Sequence, residues 1–132
     1  MKDIPVLQAK RFGVYSCRMS DTLKQATKIM TVRNISCLVV VGDYAELKGI
    51  ITRIDLVRAA YWEANWAEGL VRDYMNPDVV TVKLDDTLQR VMELLIDRHI
   101  HRVVAVRDEN GRQIPMGILS AADIVYHMAQ EG

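Results

Sequence analysis

The sequence predicts an α/β fold built twice over, and three observations predict it. Residues 14–41 align without a gap to residues 79–106, an offset of 65, with Asp21, Thr22, Leu23 and Ile35 answered by Asp86, Thr87, Leu88 and Ile100. Within each copy the apolar pattern switches between a spacing of three and four residues and continuous β-branched runs, which marks helices alternating with strands. Each copy then closes on the same phrase, GIITRID at 49–55 and GILSAAD at 117–123, now 68 residues apart. The three additional residues fall in the loop DENGRQIP, and loops are where insertions are tolerated.

Taken in order, each copy reads as strand, helix, two strands, helix. Short strands are expected at 14–17 and 79–82. The first helix of the second copy carries its inward face at Leu88, Val91, Met92, Leu95 and Ile96, and that of the first copy at Leu23, Ala26, Thr27 and Met30. LVVV at 38–41 and VVAV at 103–106 are the central strands, each followed by a turn and by the glycine-led strand. Asn110-Gly111 is a strong two-residue hairpin signal. About sixty residues per copy is thin for independent stability, because a unit of that size buries only ~60% of its unfolded surface. The two copies, 1–66 and 67–132, are therefore expected to pack on each other.

Composition narrows the class. With 132 residues, 50% hydrophobic and 26% charged, the chain has an ordinary globular balance, and 17 basic against 17 acidic residues give no global field for nucleic acid or an anionic membrane. No apolar run approaches the roughly 20 residues of a membrane-spanning helix, and MKDIPVLQAKRFG lacks the apolar stretch of a signal peptide, so a cytoplasmic protein is expected. Cys17 and Cys37 sit singly in apolar stretches, as buried, reduced thiols do.

The repeated phrase holds the candidate site. Thr52 with Asp55, and Ser120 with Asp123, have the spacing of a capping box, a hydroxyl N-cap followed three residues later by a carboxylate. The same geometry can serve a ligand. A helix N-terminus offers unpaired N–H groups and a positive dipole end to a phosphate, while an ionised aspartate, accepting only, suits the two donors of a ribose diol. The glycine opening each phrase would let a flat ring approach the backbone.

These residues carry a resemblance. VRDYMNPDVVTVKLDDTLQRVMELLIDRHIHRVVAVRDENG through GILSAADIV, and SDTLKQATKIMTVRNISCLVVV through GIITRIDLVRAA, resemble a tandem cystathionine beta-synthase (CBS) domain pair, often called a Bateman module, over nearly the whole chain. The resemblance implies two pseudo-twofold-related repeats packed through their sheets into a disc, with two clefts that take AMP, ADP, ATP or S-adenosylmethionine and regulate an associated protein that the sequence does not identify. It implies that the hydroxyl meets phosphate, the aspartate ribose, and the backbone near the aliphatics adenine. His101-Arg102 is similar to a pair that meets phosphates in adenylate-sensing members, and the fork of arginine suits that task. Its equivalent in the first repeat is Ser36-Cys37. By the same resemblance, Gly13, Tyr15 and Ile35 complete the cleft of Ser120 and Asp123, and Val80 and Ile100 complete that of Thr52 and Asp55. No catalytic or transport domain is expected beside the pair. The short helix that VRDYM provides has no clear counterpart in IPVLQAKRF, which leaves the wall at 5–13 undefined.

Other classes are weaker. No GxSxG, CxxC, HExxH or P-loop appears, so neither an enzyme nor a resident cofactor is expected, and His99, His101 and His127 lack partners at metal-ligand spacing. Arg98, His99, His101, Arg102 and Arg107 form a local basic stretch, the sole support for nucleic acid. The main alternative to nucleotide sensing is a structural interaction module with empty clefts. In the helix after GIITRID, Val57, Tyr61 and Ala64 make one apolar stripe and Trp62 and Trp66 another. One stripe can serve the core, and the other predicts a homodimer.

Overall fold

The computed structural model describes residues 1–11 and 13–131. Among the described residues twelve regular elements follow in order: α1 (Val6–Ala9), β1 (Ser16–Arg18), α2 (Leu23–Arg33), β2 (Cys37–Val41), β3 (Leu47–Thr52), α3 (Arg53–Trp62), α4 (Val71–Tyr74), β4 (Thr81–Lys83), α5 (Leu88–Asp97), β5 (Arg102–Glu109), β6 (Arg112–Ser120) and α6 (Ala121–Gln130). A 3-10 turn at Trp66–Glu68 stands between α3 and α4. The chain forms two compact units, one of residues 15–78 and one of 1–14 with 79–132. The units do not follow the sequence repeats end to end, because the first fourteen residues fold with the second copy and residues 67–78 with the first.

In the unit of 15–78 the sheet order is β1-β2-β3, β1 parallel to β2 and β2 antiparallel to β3. A parallel pair needs a crossover, and α2 supplies it. Thr22 caps α2 in a full capping box with Gln25, and Asn34, left-handed at φ 52°, ends it. The core gathers Cys17, Leu23, Ala26, Met30, Leu38, Val40, Ile51, Ala59 and Val71. Gly49 is required where it stands, because a Cβ there would lie 2.8 Å from Met75 Sδ and 2.9 Å from the Asn76 carbonyl oxygen. The space a side chain would need there is taken by Met75 and Asn76. The approach is fixed by paired backbone bonds, Ile50 N to Asn76 O at 2.9 Å and Asn76 N to Ile50 O at 2.8 Å.

The unit of 1–14 and 79–132 repeats the plan with sheet order β4-β5-β6. The bulges coincide, between Val40 and Val41 in β2 and between Ala105 and Val106 in β5. Asn110 (φ 53°) and Gly111 (φ 80°) close the β5–β6 hairpin in the left-handed region that Asn-Gly favours. His99, at φ 53°, occupies the left-handed position that Asn34 holds in the other unit.

The expectation that 5–13 holds no counterpart of VRDYM is overturned: α1 is that counterpart. Val6 N donates to Asp86 O and Leu7 N to Leu84 O, just as Val71 N donates to Asp21 O and Arg72 N to Met19 O. Pro5 bridges to Thr87 as Leu70 does to Thr22. Four residues of VLQA carry no periodic signal by themselves, and it is docking that holds them helical. Three smaller expectations also change. The short strands begin two residues later than 14 and 79, at Ser16 and Thr81, although Tyr15 O and Val80 O already accept from Val39 N and Val104 N. Ile96 is 68% exposed, whereas Leu94 lies inside with Leu88 and Val91, since the inward face of α5 centres on 88, 91 and 94. Finally, α3 stops at Trp62, so Trp62 and Trp66 share no helix face, and Ala64 lies beyond the helix. Trp66 packs on the core, while Val57, Tyr61 and Trp62 stand in solvent.

Candidate functional site

Both hydroxyl–aspartate pairs sit where a strand meets a helix: Thr52 ends β3 and caps α3, and Ser120 ends β6 and caps α6. In each pair one carboxylate oxygen turns back on the cap. Asp55 Oδ2 accepts from Thr52 N at 2.8 Å and Thr52 Oγ1 at 2.9 Å, and Asp123 Oδ2 accepts from Ser120 N at 2.8 Å and Ser120 Oγ at 3.3 Å. Capping is therefore real in both units. It occupies Oδ2 and leaves Oδ1 to other chemistry, so a cap and a ligand contact can share one side chain.

The two Oδ1 atoms have different surroundings. Asp55 Oδ1 meets Arg58 Nη1 of its own helix at 3.5 Å, and that arginine side chain is 57% exposed. Asp123 is 6% exposed, the buried charged residue among those described, and its Oδ1 accepts from Arg11 Nε at 2.9 Å. The Arg11 guanidinium also lies over the Tyr126 ring, 4.6 Å from its centroid. One turn along, His127 Nε2 donates to the Ala9 carbonyl oxygen at 2.8 Å, and its ring meets Tyr126 edge-on at 5.2 Å. The segment 9–11 is thus strapped along α6 by an ion pair, a cation–π contact and a hydrogen bond.

Arg102 opens β5 directly opposite Ser120, and Cys37 opens β2 opposite Thr52, so the asymmetry of cation against thiol stands at equivalent rungs. His101 precedes Arg102 and is exposed. One unit therefore holds Ser120, Asp123, His101, Arg102, Val80, Ile100 and Gly13, and the other Thr52, Asp55, Tyr15 and Ile35. Val80 and Ile100 pack partly buried on one core, and Ile35 on the other. Tyr15 is 45% exposed with the Arg33 guanidinium 5.0 Å from its ring centroid.

Sequence reasoning missed Arg11, Tyr126 and His127. The offsets carried a signal for them: Arg11 aligns with Asn76, and Tyr126-His127 with Arg58-Ala59, so these positions break the repeat where the rest keeps it. Burial raises the Cys17 thiol to about 12, which makes it inert as a nucleophile at neutral pH. Among the described residues no group of three metal-ligating side chains converges, and no helix is long and apolar enough to cross a membrane.

Known proteins agree with this architecture. An uncharacterised protein of Methanopyrus kandleri is 31% identical over 95% of the chain, which spans 63% of that relative's length. The CBS domain pair of protein MJ0100, solved with 5′-methylthioadenosine and S-adenosyl-L-methionine, superimposes with a TM-score of 0.84 at 22% identity, covering 97% of this chain and 98% of that one. CBSX2 in complex with AMP gives a TM-score of 0.81 at 21% identity, covering 96% and 97%. At such identities the likeness shows the fold alone. The sequence model of the CBS domain matches twice, at residues 3–61 and 71–130, and the chain belongs to the CBS domain family as a tandem pair.

Proposed function

We propose that this chain is a regulatory module that binds adenosine-containing ligands and performs no catalysis of its own. The observation carrying the reading is the divided carboxylate: in both units an aspartate caps its helix through Oδ2 and offers Oδ1 to a cationic or hydrogen-bonding partner. Ribose hydroxyls are such donors. Thr52 and Ser120 stand at helix N-termini suited to phosphate, and Arg102, with His101 beside it, brings a cation to the Ser120 and Asp123 site. Adenosine is the part common to the ligands named for two structural neighbours, which supports that class over other diols. A thermal-shift panel of AMP, ADP, ATP, NAD and S-adenosylmethionine tests the reading, because a ligand at 100 times its Kd adds ~2.7 kcal/mol to folded stability. A rise in melting temperature with an adenosine ligand is expected, and a flat panel rejects the reading.

One observation favours a second role as an interaction module. Ile54, Val57 and Tyr61 lie three and four residues apart on α3, 53, 59 and 82% exposed, with Trp62 at 69% beside them. Exposed apolar residues on one helix face support self-association. We propose a homodimer through α3, with a monomer mass by light scattering as the result that would exclude it.

A further inference from the structure

The strap on α6 has a consequence for the ligand. Asp123 Oδ2 is committed to Ser120, so a ribose diol must address Oδ1, and Oδ1 already accepts from Arg11 Nε at 2.9 Å. The pair is well shielded, with side chains 28% and 8% exposed, unlike the Asp55 and Arg58 pair at 3.5 Å on the other unit. Arg11 also comes from a different part of the chain, 112 residues from Asp123, so its release does not unwind the helix that presents the carboxylate. Tyr126 and the Ala9–His127 bond hold the guanidinium at this oxygen and limit the entropy it regains on leaving.

We infer that Arg11 is a specificity-determining residue that competes from within the chain for the ribose-reading oxygen of Asp123. The inference rests on the ribose reading proposed above. A neutral nucleoside gains Asp123 Oδ1 only by breaking its ion pair with Arg11, and brings no charge to replace it. A ligand carrying phosphate offers the displaced guanidinium a new anionic partner, so the Asp123 site selects nucleotide over nucleoside. The Asp55 site, with no counterpart of Arg11 at the Asn76 position, lacks this selection.

Calorimetric titration of adenosine and of AMP tests it, in an Asp55→Asn background so that the Asp123 site is read. Arg11→Ala should bind adenosine about tenfold more tightly than the parent, the scale of one charge-assisted hydrogen bond after rehydration, and should lose selectivity for AMP. Arg11→Lys, which restores the charge, should return toward the parent. Parental binding of adenosine that Arg11→Ala leaves equal or weaker overturns the role of Arg11 and leaves the ribose reading standing. If Arg11→Ala does not fold, Arg11→Gln, which removes the charge and keeps most of the stem, decides by the same signs. Silence toward both ligands in every variant rejects the ribose reading and this inference with it.

Discussion

At the head of α3, Asp55 caps its helix and meets an exposed arginine one turn along the same helix. At the head of α6, Asp123 makes the same cap but is nearly withdrawn from solvent and is held by an arginine from the far end of the chain. The two units share sheet order, bulge position and left-handed helix ends, so the side chains around each cap carry much of the contrast. Four positions differ between the repeats there: Asn76 against Arg11, Arg58 against Tyr126, Ala59 against His127 and Cys37 against Arg102. A duplicated scaffold conserves the local motif and diversifies by changing the side chains that surround it. The lesson is that the hydroxyl–aspartate phrase specifies a cap in both places, and the neighbours decide how much electrostatic selectivity that cap acquires.

The sharpest way to break the comparison is to remove its cation. Arg102→Ala is expected to weaken AMP binding by roughly 1.5 to 3 kcal/mol, the range for hydrogen bonds to charged groups, and to leave adenosine nearly unaffected. Titration of both ligands checks this, and equal losses would mean that Arg102 supports the fold or the ring. This sign differs from that expected of Arg11→Ala, which strengthens adenosine, so the two arginines are separable by experiment.

The carboxylates come next. Asp55→Asn and Asp123→Asn are each expected to weaken their own site by roughly 1 to 3 kcal/mol, with a 2′-deoxy ligand showing a similar loss. Asp123→Asn also strips Arg11 of its anion and should lower the melting temperature more than Asp55→Asn does. Affinity unchanged in both, with melting temperature lowered, would reduce the pairs to helix caps.

The smallest effect concerns the cores. Cys17 aligns with Val82, and both are buried. Burial in the first place, and Asp21 nearby in the second, raise the Cys17 thiol from 9.0 to about 12. The unfolded chain releases this proton first, so stability from this group is intact below pH 9 and is lost as pH rises from 9 toward 12. Chemical denaturation across that range should show the decline, and Cys17→Val should flatten it. An equal slope in the variant would assign the decline to other groups.

The sequence by itself determined the duplication, the alternation of helix and strand, the hairpin at Asn110-Gly111 and the aspartate caps, because each depends on contacts within a few residues and so leaves a local pattern. It also carried the family likeness, since the ordered motifs recur in both copies. Tertiary structure decided the rest. Four-residue α1 has no intrinsic helical signal and exists because Val6 and Leu7 bond the turn before α5. Trp66 was unplaceable from its spacing with Trp62 because a helix end intervenes. Arg11 was invisible as a partner of Asp123 because 112 residues separate them, and only the folding of the first fourteen residues with the second copy brings a guanidinium to that carboxylate.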